Sequence, residues 1–168
     1  MNDKTQIKIK RLDFSSFDDK TLGWICIEPT IQKIRGKNLT IKSQVYAQLT
    51  SGQKTLLLFW ILYGHTQNGI IQFFNEVDYL LVNNDLWFEF KERFKLFNND
   101  DLLDLVNDLE SFYSVHIKRN RLRKFDNDSD AELITRLDIK INYVMPELIK
   151  KISDYIRNNP KDFVNLYE

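Results

Sequence analysis

The sequence predicts an all-α fold: a single compact domain, residues 1–168, of about six to eight helices around a buried central helix at about 53–67. Three observations carry this expectation. Apolar residues recur at three- and four-residue spacing along most of the chain, the period of a helix face. Only five Gly and three Pro occur, and none cluster, so few breakers interrupt the helical stretches. Two capping boxes, a hydroxyl residue followed three positions later by Gln or Glu, stand ahead of apolar runs.

Taken in order, residues 4–11 read as a short strand or a frayed end, because Ile7 and Ile9 alternate with Lys8 and Lys10. Residues 1–16 are therefore a flexible or extended arm. Phe17, Trp24, Ile25, Ile27, Ile31 and Ile34 then suggest helix on either side of Pro29. Pro29 starts a new segment or kinks the old one, since it lacks an amide donor. Gly36 is a stop, and residues 39–49 follow as a helix with Ile41, Val45 and Leu49 one turn apart.

Thr50-Ser51-Gly52-Gln53 is the first capping box. Residues 54–66 behind it are apolar almost all round, which places this helix in the core. Asn68-Gly69 ends it, because both residues tolerate left-handed backbone. A short helix falls within 70–82. Asn84 or Asp85 caps a helix through Phe97, and Asn98 or Asn99 caps the next, with Leu102, Leu103, Val106, Leu109 and Tyr113 at helical spacing. Residues 118–128 are a polar, charged loop. Ser129-Asp130-Ala131-Glu132 is the second capping box and opens a helix to about Val144. Pro146 suits the first turn of the last helix, which ends at Asn158-Asn159-Pro160.

Composition narrows the function classes. Acids and bases balance at 24 each, so net charge draws the chain to neither DNA nor an anionic membrane. Cys26 is the lone cysteine and cannot form an intramolecular disulfide, which fits a reducing compartment. The N-terminus lacks the apolar core of a signal peptide, and the longest apolar run, Leu56 to Tyr63, is far short of the ~20 residues of a membrane span. A cytoplasmic location is the expectation.

No catalytic pattern assembles. His65 and His116 are the only histidines, neither lies in an HExxH pattern, and Cys26 has no CxxC partner. Both His read as structural and Cys26 as an inert core residue. Neither a nucleophile elbow nor a phosphate-binding glycine loop is present. No metal, cofactor or enzymatic activity is expected. The enzyme alternative rests on the stretch Gln67, Asn68, Gly69, Gln72, Phe73, Phe74 and Asn75, where Gln67, Asn68 and Gln72 would be the polar groups of a pocket. Against it, Gln72 and Asn75 satisfy backbone where two helices meet and Phe73 and Phe74 pack.

Two charged stretches are candidate surfaces. Lys118, Arg119, Arg121, Arg123 and Lys124 could contact phosphates, or lie in a solvated loop. From Glu76 to Glu110 there are ten acids against three bases, a net −7. Asp100, Asp104 and Asp108 form one helical stripe, each step rising about 6 Å, and with Glu89 and Glu92 they are the candidate residues for a basic partner. Membrane binding is not expected, and oligomeric state is left open.

The stretch from Leu49-Thr50-Ser51-Gly52-Gln53-Lys54 to Trp60, then Asn68-Gly69-Ile70-Ile71-Gln72-Phe73-Phe74-Asn75, resembles the DNA-mimic protein family. Its members are small all-helical bacterial proteins, mostly of unknown function, with an L-T-x-x-Q/R start, an aromatic-rich buried helix and an N-G-G-F-x-Q-F/Y-F-x-N motif. Asp154-Tyr155-Ile156-Arg157-Asn158-Asn159-Pro160-Lys161-Asp162-Phe163 is similar to the family's Y-x-x-x-x-P-x-x-F ending, and Trp24-Ile25-Cys26-Ile27-Glu28-Pro29 to its W-x-x-x-E-P segment. The resemblance implies an all-helical protein-binding module, a regulator, inhibitor or immunity-type protein. Mimicry of DNA requires an acidic surface, and in this neutral chain the segment 76–110 is where one would lie.

Overall fold

A computed structural model describes residues 6–81, 85–117 and 128–168. Among these, helical spacing becomes eight α-helices, joined by short turns and accompanied by one two-stranded sheet. The order is β1 (Ile7–Lys10), α1 (Arg11–Ser16), α2 (Asp19–Ile34), α3 (Leu39–Gln48), α4 (Ser51–Thr66), α5 (Ile70–Leu81), α6 (Asp85–Phe94), α7 (Asp100–Phe112), α8 (Asp128–Asn158) and β2 (Val164–Tyr167). A 3₁₀ turn, Lys95–Phe97, follows α6, a π turn, Tyr113–Ile117, prolongs α7, and a second 3₁₀ turn, Pro160–Asp162, follows α8.

The helix starts are chemical. Free amides in a first turn need acceptors, and short polar side chains provide them. Asp18 accepts from the Thr21 amide at 3.0 Å, Asn38 from Ile41 at 3.0 Å and Asn99 from Leu102 at 3.0 Å. At α4 the capping box closes in both directions: Gln53 N–H donates to Thr50 Oγ1 at 3.1 Å, and Thr50 N–H donates to Gln53 Oε1 at 3.1 Å. Gly69, with φ +91°, follows α4 in the left-handed region, where the absence of a β-carbon removes the steric cost.

The chain divides into two compact units, with both boundaries inside helices α4 and α8. The first takes residues 1–59 and 149–168. Here β1 pairs in parallel with β2, Ile7 opposite Val164 and Lys10 opposite Tyr167. Phe14, Leu22, Cys26, Ile27, Leu49, Leu56, Phe59, Ile152, Ile156 and Phe163 are buried. The second unit, residues 60–148, holds a chain of aromatic contacts. Phe74 stacks on Phe112 with ring centroids 5.7 Å apart, and Trp87 meets Phe90 and Tyr113 at 6.1 and 6.0 Å. Each such side chain contributes about 1.5–3 kcal/mol by leaving water.

Several sequence expectations are corrected. Of the two readings of residues 4–11 the short strand holds, over 7–10, and a C-terminal strand that the sequence reading did not contain completes the sheet. Pro29 does not start a new helix: α2 runs through it. Pro146 does not open the last helix. The two expected helices are one 31-residue helix, α8, with Pro146 inside it. Trp24 is exposed, and Leu22, Cys26, Ile27 and Thr30 form the buried face of α2. The helix expected through Phe97 ends at Phe94 and tightens into the 3₁₀ turn. On α7, Leu105 is buried where Leu103 was expected, and Leu103 is half-buried.

Candidate functional site

Four acids of the segment 76–110 pair with a Lys or Arg, three of them with bases of the segment itself. Lys91 Nζ meets Glu110 at 2.6 Å, Arg93 Nε meets Glu89 at 2.8 Å, and Lys95 pairs with Glu92. Tyr113 donates its hydroxyl to Asp78 at 2.6 Å. His65 pairs with Glu76, and Lys140, from α8, reaches Asp108 at 2.5 Å. Asp85, Asp100, Asp101 and Asp104 are exposed and, among the described residues, stand without a cation. Asp85 begins α6, and Asp100 and Asp101 lie in the first turn of α7, where the helix dipole favours negative charge. The carboxylates left for a partner are therefore Asp85 and, clustered on the first two turns of α7, Asp100, Asp101 and Asp104. Of the other candidate residues, Asp108 is occupied by Lys140, and Glu89 and Glu92 by cations on their own helix or its continuation.

The motif stretch is held by hydrogen bonds. Gln67 donates to the Tyr63 carbonyl at 3.0 Å, and the Gly69 amide to the Thr66 carbonyl at 3.0 Å. Asp138 of α8 caps α5 by accepting from the Ile70 amide at 2.8 Å. Phe73 and Phe74 are buried. Gln72 bonds Glu76 rather than backbone, while Asn68 and Asn75 face solvent. Glu76 therefore joins His65 of α4 to Gln72 of α5, and these hydrogen bonds, His65 first, hold its carboxyl below the ordinary carboxylate range. No carboxylate stands one turn from His65 in sequence; Glu76, its partner, comes from the next helix.

The basic run Lys118, Arg119, Arg121, Arg123 and Lys124, and the side chain of His116, lie outside the described residues. Among the described residues no three His, Cys, Asp or Glu side chains gather as a metal site, and no helix is long and apolar enough to cross a membrane. Cys26 is buried, and burial pushes its thiol up to about 12.

A concavity of about 670 Å³ opens between α7, its π turn and the first half of α8. Buried Phe112 and Leu137 line it, together with exposed Val115, Leu133, Ile139 and Tyr143 and the charged Asp108, Arg136 and Lys140. The π turn is the kind of helix irregularity that recurs at functional sites, and it carries Val115 to the rim. This groove was also missed. Its sequence signal is present in α8: Leu137, Ile141, Val144 and Leu148 mark the core stripe, and Ile139 and Tyr143 are large apolar residues off it.

No curated protein and no solved structure matches the chain. A family model, described as DMP19-like protein, matches residues 47–159, about two-thirds of the chain, which takes in the capping box of α4, the Asn68–Asn75 motif and all of α8. The upstream Trp24–Pro29 segment and the Pro160–Phe163 ending fall outside the matched range. The chain belongs to the DMP19-like protein family.

Proposed function

We propose that this DMP19-like chain is a protein-binding module of the DNA-mimic type, which presents the carboxylates of Asp100, Asp101 and Asp104 to a basic partner. One observation supports the choice of surface. Lys or Arg side chains pair with four of the ten acids between Glu76 and Glu110, whereas these three cluster on the first two turns of α7, exposed and without a cation among the described residues. Such charges act through solvent, where the screening length is about 8 Å at physiological salt. Binding through them is thus salt-sensitive and faster to form at low ionic strength. The likeness to DNA-mimic proteins supports reading that partner as a protein that itself binds DNA.

The test is competition. Immobilised chain captures proteins from a native lysate, and duplex DNA is then added. The expected result is release by DNA of a captured DNA-binding protein, and no capture by an Asp100→Asn, Asp101→Asn, Asp104→Asn variant. Equal capture by that variant, or capture that DNA does not displace, rejects the reading.

A further inference from the structure

The groove between α7 and α8 offers a surface of different chemistry. Exposed apolar side chains on a monomer are usually scattered singly. Here Ile139, 63% exposed, and Tyr143, 72% exposed, share one concave strip with Val115 and Leu133. The charges along that strip do not balance. Lys140 and Asp108 pair with each other. Arg136 lines the same groove, is exposed, and among the described residues has no carboxylate within ion-pair distance. Glu132, one turn earlier on α8, is exposed and not paired with it. Anything that covers the strip would desolvate Arg136, and an unpaired charge removed from water is costly. The occupant must therefore supply an acid as well as apolar anchors.

We infer that this groove receives an amphipathic helix of a partner protein, with one apolar face and a carboxylate set opposite Arg136. Leu133 to Tyr143 spans about 15 Å of α8, the length of about three turns of a docked helix with anchors at i, i+4 and i+7. Arg136 supplies orientation as well as attraction, because the planar guanidinium accepts a carboxylate through two parallel hydrogen bonds. Asp100, Asp101 and Asp104 take no part, so this surface stands or falls separately from the acidic one.

The test uses two synthetic helical peptides of about four turns, each with Leu at i, i+4, i+7 and i+11, one with Glu and the other with Lys at the position facing Arg136. Binding is followed by methyl NMR of the full chain. The Glu peptide is expected to shift the Val115, Leu133 and Ile139 methyls and to bind about tenfold more tightly than the Lys peptide. Arg136→Glu is expected to reverse that order, and Ile139→Ser with Tyr143→Ser to weaken both peptides. These side chains are exposed, so the fold survives, as unchanged methyl spectra away from the groove will show. Absence of groove shifts with either peptide overturns the inference, as does an order of affinity that Arg136→Glu leaves unchanged. A dimer of the wild-type chain that Ile139→Glu dissociates also overturns it, by assigning the groove to a second copy.

Discussion

The Phe163 ring occupies the space that a side chain at position 52 would need: a β-carbon on Gly52 would sit 2.6 Å from Phe163 Cζ and 3.1 Å from Cε2. Beside it, Thr50 Oγ1 donates to the Asp162 carbonyl at 2.7 Å, across 112 positions of sequence. The first turn of α4 and the segment after α8 thus form one joint within the first unit. The two sequence motifs that contain them are spatial neighbours.

Gly52→Ala is expected to destabilise the chain although Ala is the better helix former by about 1 kcal/mol. The new β-carbon collides with a buried ring, and overpacking costs about 1–3 kcal/mol. Gly64, in the same helix, is exposed and has nothing within 4 Å of its would-be β-carbon. Gly64→Ala should stabilise by about 0.5–1 kcal/mol. Urea unfolding of both variants checks the opposed signs, and a stabilising Gly52→Ala would refute the contact.

Thr50→Ala removes both an N-cap acceptor and the donor to Asp162. A cap alone is worth about 1 kcal/mol and a net hydrogen bond about 0.5–1.5 kcal/mol, so a loss of about 2 kcal/mol is expected. Thr50→Ser keeps the hydroxyl and should retain most of it. Equal losses in the two variants, measured by thermal or urea unfolding, would trace the effect to the methyl group instead.

The Glu76 pair gives a pH signature. Its hydrogen bonds to His65 and Gln72 lower the folded-state carboxyl below its ordinary value of 4.5. A depressed carboxyl contributes stability that is present above the unfolded value and lost as pH falls through the folded one. Wild type should therefore exceed Glu76→Gln in stability at neutral pH, and the gap should close as pH drops below 4.5. A gap that widens on acidification contradicts the geometry.

Cys26 should be unreactive in the native chain. Burial leaves it 2% exposed and raises its thiol to about 12, so at pH 8 its thiolate fraction falls on the order of a thousandfold below that of a free cysteine. A chromogenic disulfide reagent should titrate no thiol in buffer and one per chain in urea. Prompt labelling in buffer would place Cys26 at the surface.

What the amino-acid order determined by itself was local. An N-cap needs only an oxygen that reaches an amide three residues on, so Thr50-Gln53 and Asn99 were legible, as was the left-handed stop at Asn68-Gly69. Helical spacing likewise marked the all-α class and the buried character of α4. The tertiary structure decided whatever depends on partners far along the chain. Val164–Tyr167 is too short a pattern to read as a strand until Ile7–Lys10 lies beside it. Pro146 costs a helix about 3 kcal/mol, yet α8 continues, because Ile141, Val144, Leu148 and Ile152 on either side of it are buried and each contributes about 1.5–3 kcal/mol. The charge of segment 76–110 could be counted in sequence, but its pairing could not, since Lys140 reaches Asp108 and His65 reaches Glu76 only when their helices pack. Charge is a property of the residue. Whether that charge remains available to a partner depends on which cations the fold brings within a few ångströms, because Coulomb attraction and hydrogen bonding both act over that range.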